Sequence, residues 1–501
     1  MVTVVRNPSR PVVDDGHLLS CHPATGAQVG RVRIADRDQV AAAVAAARTA
    51  ADWWVGIGHA QRRRRLLRWR SLLATRITEL ADLVNRECGK PVAEAVVEIA
   101  AAIEHIDWAA QHARRVLGVR RTRTRLITAE FSGHLEYQPL GVIGVIGAWN
   151  YPVLIPIGPI AYALAAGNTV VFKPSEYTPV TGQWLVDTLT EAVGAESVLT
   201  AVHGLGDVGD ALCRSGVDKL SFTGSPRTGR LVMAACAETL TPVVIEAGGK
   251  DAMIVDDDAD IDAAAEACVW GAMTNAGQSC IGIERVYALA PVYDAFVTAV
   301  VDRAGRLTVG SGPDDQVGPI AVPGQLDVIR RHVNDALAAG GRAVLGGAAA
   351  VQPPYVHPTV LVDVPPDCAA VREETFGPTV TIHRVGTIDE AIAAANDTRY
   401  GLGGAVFGKR RGIAVARRVR SGMVSINSVL TFVGFSELPF GGIGDSGFGR
   451  VHGEDGLREF SRSKAITRRR APSVLPTMTF ERTPTDLARI VKVVKLRYGR
   501  D

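Results

Sequence analysis

Along residues 37–115 apolar positions recur at three- and four-residue spacing, the period of an amphipathic helix. Asp36 stands as an N-cap ahead of an alanine-rich segment. Leu66, Trp69, Leu73, Ile77, Leu80 and Val84 read as the buried stripe of a second helix, which Gly89 and Pro91 stop. The run Arg62 to Arg65 opens that helix and reads as its solvated face in preference to a nucleic-acid patch. From Gly141 the texture changes to short apolar runs at 142–146, 169–172, 197–202, 219–223, 243–245 and 252–255, separated by helix-length segments. Unalternated runs of this kind are strands buried on both faces, which predicts a parallel, doubly wound sheet. A second set at 285–289, 359–362, 380–385, 404–407 and 423–426 predicts another α/β unit. Within 120–140, the polar alternating stretch Leu126 to Tyr137 reads as a hairpin whose exposed edge invites pairing with another subunit.

Composition narrows the possibilities. At 501 residues the chain has room for about three folding units. Its 55 basic and 52 acidic side chains leave only +3, which argues against a polyanionic partner such as nucleic acid. Seven scattered cysteines without a C-x-x-C pair form neither a disulfide framework nor a zinc site, so no metal is expected. Met1 to Gly16 lacks the apolar core of a signal peptide and no run approaches a membrane span, so the expected location is cytoplasmic. After Lys464 the chain becomes basic; Leu487, Ile490, Val491 and Val494 there suggest docking on the protein's own surface, or disorder, ahead of contact with an anionic surface.

Candidate chemistry gathers where strands should end. Phe222-Thr223-Gly224-Ser225-Pro226-Arg227-Thr228-Gly229 follows one predicted strand and opens a helix. Gly224 permits a tight turn there, and Ser225 with the free amides of the helix start can meet a diphosphate. The spacing is neither the common dinucleotide fingerprint nor a phosphate loop with a following lysine, and a plain turn accounts for it equally well. Lys173-Pro174-Ser175-Glu176 brings a cation and a carboxylate to a strand's carboxyl end, where open α/β sheets bind ligands. Cys280, in Asn275-Ala276-Gly277-Gln278-Ser279-Cys280, sits in a loop able to bring a thiol to a cleft, although an isolated cysteine is more often a small buried hydrophobe. A catalytic thiol needs a helix terminus or a base nearby. Glu246, after Val243-Val244-Ile245, is the base candidate, with desolvation expected to raise its pKa; a salt bridge to Lys250 is the alternative.

Jointly these residues resemble the NAD(P)-dependent aldehyde dehydrogenases. The likeness is read in Trp149-Asn150-Tyr151-Pro152, Lys173-Pro174-Ser175-Glu176, Phe222-Thr223-Gly224-Ser225, Glu246-Ala247-Gly248-Gly249-Lys250, Gly277-Gln278-Ser279-Cys280, Glu374-Thr375-Phe376-Gly377-Pro378 and Pro439-Phe440-Gly441-Gly442, and it runs from about Cys21 to Lys464. The resemblance implies that Cys280 attacks the aldehyde carbon, that the Asn150 side-chain amide and the Cys280 backbone amide hold the oxyanion, and that Glu246 activates water to release the acid from a thioester. It implies NAD as cofactor, with NADP possible. Lys173 and Glu176 would contact the adenosine ribose, Ser175 and Gly224 would belong to the same site, and Ser225 would meet the diphosphate. Glu374 would hold the nicotinamide ribose, with Trp149 and Phe376 beside it. Glu176 would repel a 2′-phosphate through like charge. The role of Lys250 is left open.

The implied architecture is α/β. It comprises a Rossmann-like cofactor domain from residues 1–120 and 141–246, an α/β catalytic domain at 247–445, a β oligomerisation arm from 121–140 and 446–465, and a basic tail at 466–501. A homodimer or homotetramer follows from the same resemblance. Ala148 and Ala247 stand where proline and leucine are usual, and Gly282 removes the second cysteine some relatives carry. The arginines that clamp the substrate carboxylate in succinic semialdehyde members would fall at Gly158 and Thr274, neither of which can pair an anion. With Ile155, Ile281, Phe432 and Phe435 as expected tunnel neighbours, the substrate implied is a neutral, apolar aldehyde. The alternatives are a succinate-semialdehyde dehydrogenase, a coenzyme-A-acylating enzyme, which Glu246 disfavours, and a noncatalytic structural member of the fold, which Cys280, Asn150 and Glu246 together disfavour.

Overall fold

Strands rich in Val and Ile, buried on both faces, build two separate sheets. In the computed structural model, which describes residues 11–125, 128–195, 197–472 and 475–499, the first sheet has six strands. Their order is Gly447–Phe448, Val243–Glu246, Lys219–Thr223, Val142–Ile146, Thr169–Lys173 and Leu199–Ala201. The last five are parallel and only the short Gly447–Phe448 edge runs antiparallel. The second sheet runs Arg342–Leu345, Thr359–Val362, Thr379–Val385, Ile283–Leu289, Asp251–Val255, Gly404–Phe407 and Ser425–Ile426, antiparallel only at Arg342–Leu345. The run at 252–255 therefore belongs to the second sheet, although sequence texture groups it with the first. The chain crosses from one sheet to the other within the four residues 247–250.

The helical block shows what spacing can and cannot reveal. Asp36 caps Arg37–Gly56 in a reciprocal capping box with Gln39. The apolar stripe expected on one following helix is divided between Gly58–Thr75 and Ile77–Cys88. The Thr75 hydroxyl donates back to the Ser71 and Leu72 carbonyls, and Arg76 leaves the helical region at φ −109°. Arg62 corrects a second expectation, because it is buried instead of solvated. Its guanidinium donates to the carbonyls of Trp54 and Val55, both 3.2 Å away, at the carboxyl end of the preceding helix, where the helix dipole favours a cation.

A three-stranded sheet of Arg120–Thr122, Phe131–Pro139 and Ser461–Arg469 stands apart from the other two. Residues 126 and 127 of the expected hairpin lie outside the described residues. Of the segment expected to return with this arm, Gly447–Phe448 instead pairs with Val243–Glu246, helix Gly453–Glu459 packs beside helices Val92–Leu117 and Leu154–Ala166, and Ser461–Arg469 alone joins the arm. Helix Pro484–Tyr498 is capped by Thr483 and Asp486 but buries none of its residues, so the self-docking expected of Leu487, Ile490, Val491 and Val494 is not found. Among the described residues no helix is long and apolar enough to cross a membrane.

Asn168 ties the arm to the first sheet. Fully buried, it accepts from the Leu140 and Gly141 amides at 2.7 and 2.9 Å and donates to the Ala163 and Phe460 carbonyls at 3.0 and 2.8 Å. An Asn168→Ala variant strands these groups and should lose about 3 kcal/mol in urea unfolding. A loss under about 1 kcal/mol would show that water replaces the amide.

Candidate active site

The crossing between the sheets and the loop before strand Ile283–Leu289 meet at one seam. Cys280 follows a tight turn, Thr274–Gly277, in which Asn275 (φ 51°), Ala276 (φ 55°) and Gly277 (φ 69°) are successively left-handed. For alanine that conformation is strained, by about 1–3 kcal/mol. A Cβ on Gly277 would lie 2.0 Å from the Gly377 carbonyl oxygen, so only glycine admits the passing chain. Interlocked amides hold the turn. Asn275 Nδ2 donates to the Asn150 and Gln278 carbonyls at 2.9 and 3.1 Å, and Gln278 Nε2 donates to the Asn275 carbonyl at 2.8 Å. Gln278 Oε1 accepts from the Ala321 amide at 2.8 Å.

Glu246 ends its strand with its backbone between Thr223 and Gly447. Its carboxyl and the Cys280 thiol line the same cavity of about 480 Å³ and shift one another's titration. Burial pushes the Glu246 carboxyl up, while bonds to the thiol and to Thr223 pull it down. Burial, then Glu246, then Glu374 and Asp251 push the thiol well above its ordinary range, so the resting sulfur is protonated. Glu246 Oε1 is buried without a partner among the described residues, and is free to take a proton. Asn150 is buried alongside, with one amide N–H already given to the Gln278 carbonyl at 3.2 Å; it is not among the side chains that line the cavity.

Ile155, Ile281 and Phe435 also line this cavity, whereas Phe432 does not. Phe432 packs behind the wall with Leu402, Met423 and Phe440. Trp270, Val433 and His452 also line it and were not singled out by sequence. Neither lysine nor arginine lines it among the described residues. Glu94 and Glu98 do, but both are engaged. Glu94 accepts from the Asn275 amide at 2.7 Å, and Glu98 pairs with buried Lys90 and accepts from the Val153 and Leu154 amides.

A second cavity, of about 570 Å³, adjoins the first across Phe222 and Thr223 at the carboxyl ends of the parallel strands. Trp149, Lys173, Ser175, Glu176, Gly224 and Ser225 all line it. Lys173 Nζ reaches Glu176 at 3.4 Å, and Ser175 accepts from the Tyr177 amide at 3.3 Å. Ser225 is the N-cap of helix Pro226–Ala237, accepting from Thr228 at 3.2 Å. Glu374 lies at the seam, accepting from the Gly249 amide at 3.0 Å, and burial pushes its carboxyl up to about 8. Phe376 stands edge-on to Trp149, ring centres 5.6 Å apart.

Lys250 finds its place in this arrangement. Its ammonium pairs with buried Glu284, whose carboxylate accepts from the Thr375 and Phe376 amides at 2.8 and 3.0 Å, so the pair orients the loop that carries Glu374. The salt bridge considered between Glu246 and Lys250 is not formed. Two charged residues in an otherwise apolar strand, Glu284 and Arg285, were the available signal for this support.

A model of the aldehyde dehydrogenase family matches residues 13–466. The chain is 36% identical over 464 residues to a glutarate-semialdehyde dehydrogenase of Pseudomonas putida, covering 90% of this chain and 95% of that protein. Among solved structures it is similar to an NAD-dependent aldehyde dehydrogenase from Sinorhizobium meliloti, with TM-score 0.88 and 34% identity over 92% of this chain and 93% of that one. It is also similar to an NADP-dependent enzyme of E. coli, with TM-score 0.86 and 33% identity over 90% and 95% of the two chains.

Buried carboxyls make stability depend on pH. Asp251 is pushed by burial to about 7 and Glu374 to about 8, against about 4 for both in an unfolded chain. Their neutral forms stabilise the fold fully below about pH 4, and that contribution is lost as pH rises towards 7 and 8. The thermal midpoint of the ligand-free protein should therefore fall between pH 5 and 8, and Glu374→Gln should flatten the fall. An unchanged slope in the variant would contradict the assignment.

Proposed function

The chain belongs to the aldehyde dehydrogenase family and oxidises an aldehyde to its carboxylic acid with NAD or NADP, and we propose that Cys280 is its nucleophile, Glu246 its base, and a neutral, largely apolar aldehyde its substrate. The observation that carries this reading is the shared chamber of a half-buried thiol and a desolvated carboxylate with a free oxygen.

Cofactor binding fits the second cavity on the chemistry of its donors. A partly exposed carboxylate with a lysine beside it suits a ribose diol, and a capped helix start suits a diphosphate. Lys173 and Glu176 would hold the adenosine end and Ser225 the diphosphate; Glu374 would meet the nicotinamide ribose, with Trp149, Ser175, Gly224 and Phe376 as walls. The bound dinucleotide supplies a hydride acceptor. NAD is favoured, since Glu176 places a negative charge where a 2′-phosphate would have to sit.

The chain's own residues then act in sequence. As the sulfur of Cys280 bonds to the carbonyl carbon, the thiol proton passes to the Glu246 carboxylate. The carbonyl oxygen becomes an oxyanion held by the Cys280 backbone amide and the second N–H of Asn150, one such donor contributing about 2.7–4 kcal/mol. Loss of hydride leaves the acyl group on sulfur as a thioester. Glu246, having returned its proton to solvent, takes one from water as the water oxygen bonds to the acyl carbon. The carbon–sulfur bond breaks, Glu246 passes that proton to the departing sulfur, the acid leaves, and both thiol and carboxylate are restored. The absence of a lysine or arginine from the lining among the described residues supports a neutral substrate over a semialdehyde carboxylate. The exposed strands of the arm support assembly with a second copy of the chain.

Cys280→Ala should reduce aldehyde-dependent NADH formation to background while the protein stays folded. Glu246→Gln should lower steady turnover by about 10²–10⁴-fold, and any acyl-enzyme that still forms should accumulate. NADH production undiminished in Cys280→Ala would end this mechanism. Glu176→Gln should raise kcat/KM with NADP relative to NAD, and an unmoved ratio would remove Glu176 from the ribose site.

A further inference from the structure

His452 occupies its position at a double cost. Its backbone, at φ 66° and ψ 163°, lies in a region that suits glycine, a strain of about 1–3 kcal/mol. Its side chain is buried, and Nδ1 has no hydrogen-bond partner among the described residues, worth another 1–3 kcal/mol or so. The ring is nonetheless firmly placed, stacked on His105 with centres 3.6 Å apart and 5.5 Å from Phe440.

The groups beneath it are satisfied. The His105 ring bonds the Val433 carbonyl through Nε2 at 2.9 Å, and the Tyr162 hydroxyl donates to the Ser436 carbonyl at 2.9 Å and accepts from the Gly453 amide at 3.2 Å. Within the cavity that holds Cys280, the other buried side-chain atoms without partners are Glu246 Oε1 and Ser279 Oγ, at or next to the thiol itself. Among the described residues, His452 is thus the lining side chain with a buried, unpartnered polar atom away from the reacting centre.

Its location is informative. A Cβ on Gly158 would lie 2.8 Å from His452 Nε2, so the imidazole fills the space a side chain at 158 would enter. Burial and neighbouring His105 hold the ring neutral. A neutral imidazole offers one donor and one acceptor, which suits an uncharged oxygen and cannot neutralise a carboxylate.

Building on the aldehyde reading above, we propose that His452 is a specificity-determining residue that hydrogen-bonds a neutral oxygen, such as a hydroxyl, carried by the aldehyde away from its reacting carbon. The enzyme then selects such aldehydes over both plain alkanals and semialdehyde carboxylates. Selection arises because a substrate lacking the oxygen leaves the buried imidazole unpaired.

The test compares three matched series of four to eight carbons with NAD: alkanals, ω-hydroxyalkanals and ω-carboxylate semialdehydes. At the best chain length the wild type should favour the hydroxyl over the methyl and over the carboxylate by about tenfold in kcat/KM, equivalent to about 1.4 kcal/mol, chiefly through KM. His452→Gly, which the backbone accommodates, and His452→Phe should bring the hydroxyl-to-methyl ratio to about one, and His452→Gln should retain part of it. Equal use of hydroxyl and methyl by the wild type, preference for the carboxylate, or an undiminished ratio in both His452→Gly and His452→Phe would overturn the proposal while leaving aldehyde oxidation intact. No NADH from any series would overturn both.

Discussion

The site depends on a close backbone contact at the seam between the two sheets. A Cβ on Gly249 would lie 2.4 Å from the Cys280 carbonyl oxygen, so the crossing chain runs directly against the cysteine loop. Because Glu246 ends a strand of one sheet just before that crossing and Cys280 precedes a strand of the other, this contact brings carboxylate and thiol into one chamber. Gly277 makes the matching approach on the far side, against the loop that carries Glu374. Larger side chains at these two glycines would separate the thiol from the carboxyl before altering either.

Around that contact the protein concentrates buried charge. Glu246, Glu374, Asp251 and the thiol are all desolvated, and each is pushed towards its neutral form. The Lys250–Glu284 pair serves another end. It is buried, and its worth lies in the two backbone amides that Glu284 orients more than in the attraction itself, since desolvation offsets much of what a buried ion pair contributes. A neutral thiol beside an uncommitted carboxylate oxygen keeps no thiolate exposed to oxidation.

The same economy of charge extends to the cavity wall. The two further carboxylates in the cavity wall are occupied by backbone amides and by Lys90, no cation faces inward among the described residues, and a neutral imidazole stands against Gly158. The sequence likeness to a semialdehyde dehydrogenase therefore coexists with a lining that holds neither lysine nor arginine among the described residues.

The sequence by itself determined the two parallel α/β units, the Asp36 cap, the helix stop at Gly89 and the family, because each is written in local periodicity, in capping chemistry or in contiguous motifs. Texture alone could not assign 252–255 to its sheet, since a buried strand looks the same in either; the family likeness, with its catalytic domain from 247, placed it in the second unit. The sequence misjudged Arg62, whose burial depends on helix-end carbonyls supplied by a neighbouring helix, and it placed Phe432 in a tunnel from which packing removes it. Lys250 acquired a role only through Glu284, and His452 became visible only when its unpaired nitrogen was set beside Gly158, 294 positions away in sequence. Such features are decided by tertiary structure because burial and hydrogen-bond satisfaction are properties of what surrounds a residue, and those surroundings come from segments distant along the chain.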